Sequence, residues 1–180
     1  AAGGVGGFHG GMGDGNLRGT TGGGVEARTP DSLGQSMKVM AALDYNHIKR
    51  ALVQQAPDAP LILQAMRWRL TKATRRQRRA ALAQFIQNDL LHEDVLASLL
   101  EPQLTAMRPE LREQALRLIN LFASEAAGRT YLLSKHDVVR QLCTLLRVEP
   151  SDNIARQNTL GALQKLSLRR APQNVMINSD

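Results

Sequence analysis

A chain of 180 residues, 43% hydrophobic and 22% charged, is long enough for one domain with a self-supporting core. Its single cysteine, Cys143, excludes a disulfide framework and fits a reducing, intracellular compartment. No run of about 18 uncharged apolar residues and no charged-then-apolar leader supports membrane spanning or secretion.

The net charge of +7 is local. Arg67, Arg69, Lys72, Arg75, Arg76, Arg78 and Arg79 form a stretch without an acid, whereas residues 1–66 carry five charges of each sign and residues 80–180 eleven of each. The whole excess belongs to residues 67–79.

In chain order, residues 1–30 are read as a disordered tail. Residues 1–24 hold twelve of the fifteen glycines and little that is large beyond Phe8, Met12 and Leu17, too few apolar groups to offset the entropy of ordering glycine. No GxGxxG register and no Gly-Lys pair occurs there, so linker or tail is the reading rather than phosphate loop. Residues 31–91 are read as a helical segment. Thr29, Pro30, Asp31 and Ser32 supply helix-start chemistry, and Met37, Met40, Ala41, Ile48, Leu52 and Val53 recur at helical spacing to about Gln55. Pro57 and Pro60 are expected to close that helix. Leu61 to Leu91 reads as one long helix or two abutting ones, with the basic stretch in the middle.

Shorter helices follow from His92. Val95, Leu96, Leu99 and Leu100 form one, Pro102 and Pro109 frame a break, and Arg112 to Ala127 forms the next, with Gly128 as its expected stop. Asp137 is expected to cap Val138 to Leu146. Pro150 breaks the chain, Ser151 or Asp152 caps, and Ile154 to Leu168 forms a second long helix stopped by Pro172. No alternating apolar run between turn pairs indicates a strand.

One pattern is written twice. Arg112, Leu116, Ile119 and Phe122 recur 44 residues later as Arg156, Leu160, Leu163 and Leu166, and Tyr131 to Leu133 fall opposite Val175 to Ile177 at the same offset. A helical period of about 40–47 residues is that of armadillo and HEAT solenoids. The fold expected is therefore all-α, an armadillo/HEAT-like solenoid, with residues 92–180 holding two copies, the second truncated. Each unit leaves an apolar face for a neighbour, so the chain reads as an internal fragment.

The stretch from Ala155 to Arg170 resembles the paired helices of armadillo repeats. More narrowly, it is similar to the LisH-domain-containing armadillo family of cilia and basal bodies, associated with Joubert syndrome. Three blocks carry this likeness: Phe85 to Leu91; Arg117 to Ser124 with Gly128 to Leu133; and Arg156 to Arg170 followed by Met176 and Ile177. The resemblance covers about residues 78–180. It implies a non-enzymatic scaffold of the basal body or centriole, in the cytoplasm and cytoskeleton, acting in cilium assembly and ciliary signalling through other ciliary proteins. The family's dimerising LisH segment has no visible counterpart in residues 1–66, so self-association does not carry over. The asparagine ladder by which some armadillo proteins hold peptides would fall at Leu121 and Lys165, and neither is Asn.

Candidate sites are few. His9, His47, His92 and His136 stand apart without ligand spacing, Cys143 reads as a small hydrophobe, and Ser124 and Ser167 lack an elbow motif. No catalytic residue, metal or cofactor is assigned. On a continuous helix, Arg69, Lys72, Arg76 and Arg79 share one face suited to an acidic partner surface. With Leu121 and Lys165, chosen by repeat position, they are the candidate partner-binding residues. The alternative is a nucleic-acid-associated helical-repeat protein using Arg67 to Arg79. Trp68 is read as core.

Overall fold

Ten α-helices and no strand occur among the described residues of the computed structural model, which are 3, 43–150 and 153–178. The glycine-rich tail, the helix start read at Thr29 to Ser32, and the expected caps Ser151 and Asp152 lie outside the described residues.

Helix α1 (Tyr45–Val53) begins where Asp44 accepts a hydrogen bond from the His47 amide at 2.9 Å. Helix α2 (Ala59–Thr71) has Pro60 in its first turn, where a residue without an N–H costs nothing. Pro60 thus opens a helix rather than closing one. The chain then breaks at Lys72 and Ala73. Helix α3 (Arg75–Gln87) starts afresh from a capping box in which Thr74 Oγ1 accepts from the Gln77 amide and Gln77 Oε1 accepts from the Thr74 amide. Leu61 to Leu91 is therefore two helices.

Helix α4 (Glu93–Leu99) is capped by His92 Nδ1, which accepts from the Val95 amide at 3.3 Å. A short α5 (Leu104–Met107) leads into α6 (Pro109–Ser124), again with proline in the first turn. Helix α7 (Ala126–Leu133) follows at once. Gly128 is not a stop but lies inside α7, buried where that helix crosses the end of α6. Asp137 holds the N-cap position of α8 (Val138–Val148), but in a left-handed conformation, φ 59°, with no capping bond from its side chain. The cap of α9 (Ile154–Leu166) is Asn153, whose Oδ1 accepts from the Arg156 amide. Pro172 falls within the first turn of α10 (Arg170–Ile177) and is buried.

The long helices α2, α6 and α9 stack side by side; α1 packs on α4, α8 on α9 and α10, and α3 on α2 and α7. One apolar core runs continuously from Ile48 to Leu166. Each leucine fully buried in it contributes about 1.5–3 kcal/mol. Four aromatic rings thread this core: Tyr45 meets Phe85 edge-on at 6.3 Å, Phe85 stacks on Phe122 at 6.2 Å, and Phe122 meets Tyr131 at 6.0 Å. The 44-residue offset holds at both ends of α7 and α10, which run 126–133 and 170–177.

Arginines tie the units together by donating to carbonyls left over at helix ends. Arg108 donates to the carbonyls of Gln55 and Ala56, Arg112 to that of Glu101, and Arg156 to those of Leu146 and Glu149. Arg112 and Arg156, the polar members of the repeated stripe, thus do the same work in successive copies. Arg112 is fully buried with its carboxylate partner Glu149, 3.7 Å away.

Candidate interaction groove and basic corner

Stacking α2, α6 and α9 brings one polar stripe from each into a shared groove of about 310 Å³. Helix α2 supplies Arg67 and Thr71, α6 supplies Arg117, Asn120, Leu121 and Ser124, and α9 supplies Asn158. Arg67 and Thr71 are four apart, and Asn120 and Leu121 each stand three or four from Arg117 and Ser124, the spacing that puts side chains on one face.

The groove floor is held by amides. Asn120 Nδ2 donates to Asn158 Oδ1 at 2.9 Å, and Asn158 in turn donates to the Ile154 carbonyl at 2.8 Å. Lys165 Nζ donates to Asn120 Oδ1. Gly161 makes this approach possible, since a Cβ there would stand 3.1 Å from Asn120 Oδ1. Lys165 is half-buried, and burial lowers its pKa below the usual lysine value. Its bonds go to Asn120, a neutral partner. The charge of Arg117 is met by Glu113 at 2.6 Å, whereas the buried Nε of Arg67 has no hydrogen-bond partner among the described residues.

The basic stretch is divided by the break after Thr71. The single face over Arg69, Lys72, Arg76 and Arg79 does not form, because the helical register on which it depended stops at α2 and restarts at Arg75. Arg69 is half-buried and close enough to Tyr45 for its charge to oppose the upward shift that burial imposes on that phenol. Arg78 works inside the fold: its Nε donates to the Leu70 carbonyl at 2.9 Å, and Nη1 reaches Glu125 at 4.0 Å. Lys72, Arg75, Arg76 and Arg79 remain exposed as a basic corner at the end of α2 and the start of α3. Trp68 is 43% exposed rather than core, and Lys72 Nζ lies 4.3 Å from the centre of its ring.

Of the residues chosen by repeat position, Leu121 lines the groove and Lys165 reaches its floor through Asn120. Asn120 and Asn158 were not legible from the repeat, because their counterparts 44 residues away are Gln164 and Gln114. The spacing of Asn158, Gly161 and Lys165 along one helix face is the signal that could have found them. No group of three or more metal-ligating side chains, and no helix long and apolar enough to cross a membrane, occurs among the described residues.

Three stacked helix units around one core, with a polar groove across their long helices, define an all-α helical-repeat protein of armadillo type. Over 148 residues, 79% of its length, the chain is 42% identical to the LisH domain-containing protein ARMC9 of Bos taurus. It is 40% identical over 152 residues to the protein of that name in Mus musculus, and 38% over 146 residues to that in Danio rerio, covering 82% and 79% of the chain. The chain belongs to the family of LisH domain-containing ARMC9 proteins. It spans about a fifth of the length of these relatives, 22% of the bovine and 18% of the mouse and zebrafish proteins. No protein-family profile matches the chain, and no solved structure matches it with significance.

Proposed function

We propose that the chain is part of a non-enzymatic protein-interaction scaffold of the ciliary basal body or centriole, acting in cilium assembly and ciliary signalling. The observation that carries the interaction reading is the groove across α2, α6 and α9. Its Arg67, Thr71, Asn120 and Asn158 side chains offer donors and acceptors at the spacing of stacked helices, a surface suited to holding part of another protein rather than to bond-breaking chemistry. The location comes from the family resemblance of the blocks at Phe85, Arg117 and Arg156.

The test is to tag the full-length protein at its own locus in ciliated cells and image it against a centriole marker. Signal at the basal body or along the cilium is expected. Signal confined to the nucleus or to ribonucleoprotein particles would overturn the location. The second reading, association with nucleic acid through Arg67 to Arg79, draws on the exposed cations of the basic corner. Against it, Lys72 lies over one face of Trp68, and Phe85, Phe122 and Tyr131 are buried in the core, which leaves little aromatic surface for bases to stack on.

A further inference from the structure

We propose that the basic corner formed by Lys72, Arg75, Arg76 and Arg79 is a docking site for an acidic, extended peptide segment of a partner protein. The inference rests on the interaction part of the reading above and not on its cellular location.

The local fold accounts for Lys72, which lies over Trp68 at the C-terminal end of α2, but not for the three arginines. The positive end of a helix dipole disfavours Lys and Arg in the first turn, yet Arg75 and Arg76 occupy the first two positions of α3, with Arg79 one turn on and no acid in that turn. The capping box serves the Thr74 and Gln77 amides, and a guanidinium, having donors only, cannot serve a helix-start amide, so the arginines do not finish the helix. The four are exposed and have no carboxylate within ion-pair distance among the described residues. Their neighbour Arg78, in contrast, is engaged with Leu70 and Glu125. Arg75, Arg76 and Arg79, with no anion partner among the described residues, and Lys72, whose ammonium meets only the Trp68 ring, define a field that attracts anions.

The surroundings favour carboxylates on a peptide over a polyphosphate. The corner adjoins the α2 end of the groove, where Thr71, next to Lys72 in the chain, lines a wall completed by the amides of Asn120 and Asn158. Such groups suit peptide main chain. Glu125, 4.0 Å from the neighbouring Arg78, sets a carboxylate close to the corner. It repels a continuous phosphate backbone, whereas a peptide can place its carboxylates only where the cations are. Arginine forks hold carboxylates with two parallel hydrogen bonds, which gives such docking its geometry.

The experiment measures fluorescence anisotropy of a labelled peptide of about ten residues, half of them Glu, against the 180-residue chain at about 50 and about 200 mM salt. The test variant is Arg75→Gln/Arg76→Gln/Arg79→Gln, checked by circular dichroism and melting; its helix is expected to hold, since it loses cations from the wrong end of the dipole. The control is Arg140→Gln, an exposed arginine on α8 beside Asp137. Expected is binding that weakens with salt, falls about tenfold in the triple variant as three exposed ion pairs are lost, and is unchanged in the control. No peptide binding, or equal loss in test and control, overturns the proposal. So does tighter, corner-dependent binding of a duplex DNA or of phosphatidylserine vesicles, which would hand the surface to phosphates. Failure here leaves the imaging result untouched, and failure of the imaging leaves this binding intact.

Discussion

Removing Glu149 should cost this chain much of its stability, because it would leave a buried arginine without its counter-charge. The side chains of Arg112 and Glu149 are both fully buried, with Nε 3.7 Å from Oε1. Burial drives the Arg112 pKa down, and the nearby carboxylates of Glu149 and Glu101 work against that shift. One guanidinium nitrogen donates to the Glu101 carbonyl, but Nε and Nη1 have no hydrogen-bond partner among the described residues, so charge attraction supplies most of the compensation. Breaking a buried pair from one side costs about 3–5 kcal/mol, a large share of the ~5–15 kcal/mol that holds a domain folded. Glu149→Ala should show this loss in urea unfolding of the 180-residue chain. The double variant Arg112→Met/Glu149→Gln removes the stranded charge and should recover at least half of it. A cost below about 1 kcal/mol for Glu149→Ala, with no recovery in the double variant, would refute the reasoning.

Three further outcomes are expected. Gly128→Ala places a Cβ 2.1 Å from the Phe122 carbonyl oxygen, a backbone atom that cannot swing aside. Despite a gain of about 0.5–1 kcal/mol in helix propensity, it should lose at least ~2 kcal/mol, and a melting temperature that holds or rises would contradict the crossing of α6 and α7. Burial pushes the Asp89 carboxyl up, but hydrogen bonds from Lys135 and Tyr131 outweigh it and leave the pKa below the usual carboxylate value. A depressed native pKa gives stability that is present above the unfolded value of about 3.9 and lost as pH falls through the native one. Asp89→Asn, which tolerates the left-handed φ of 48° there, should therefore lose stability at pH 7 and show a shallower loss on acidification below about pH 4; an unchanged acid limb in circular dichroism would sink the assignment. Leu163→Ala should cost about 2–5 kcal/mol, nearer the lower figure because Leu163 borders an open pocket that can relax, and a loss under about half a kcal/mol would place it on the surface.

The repeat was readable because packing writes periodicity: Leu116, Ile119 and Phe122 are all fully buried, and the 44-residue offset returns in the bounds of α7 and α10. The punctuation was not. Pro60, Pro109 and Pro172 look like stops, yet each sits in the first turn of a new helix, where its missing N–H has no partner to lose. Gly128 likewise looks like a C-terminal cap, while its purpose is a close approach that only the folded chain reveals. The restart at Thr74 was present in the sequence as Thr74-x-x-Gln77, and reading it as a capping box would have divided the basic stretch correctly. Site residues fared less well because a repeat offset finds what copies share. Leu121 and Lys165 sit at shared positions; Asn120 and Asn158 meet across helices without being equivalent.

The leucine pair at 116 and 160 explains how one pattern can give different surfaces. Leu116 is fully buried on α6, the middle of three stacked long helices, whereas Leu160 on α9 is 45% exposed and lines a pocket of about 360 Å³ with Cys143, Leu146 and Met176. The sequence position is the same, so the difference comes from the neighbour and not from the unit. The same logic separates the arginines. Arg112 and Arg156 recur because every unit must satisfy the carbonyls of the helix before it, and their environment is set by the stack. Arg75, Arg76 and Arg79 have no charged counterpart at the matching places of α7, the helix that follows the next long helix, where the chain carries Ala126, Ala127 and Thr130. What recurs in this chain builds the solenoid, and what does not recur is where a partner would be told apart.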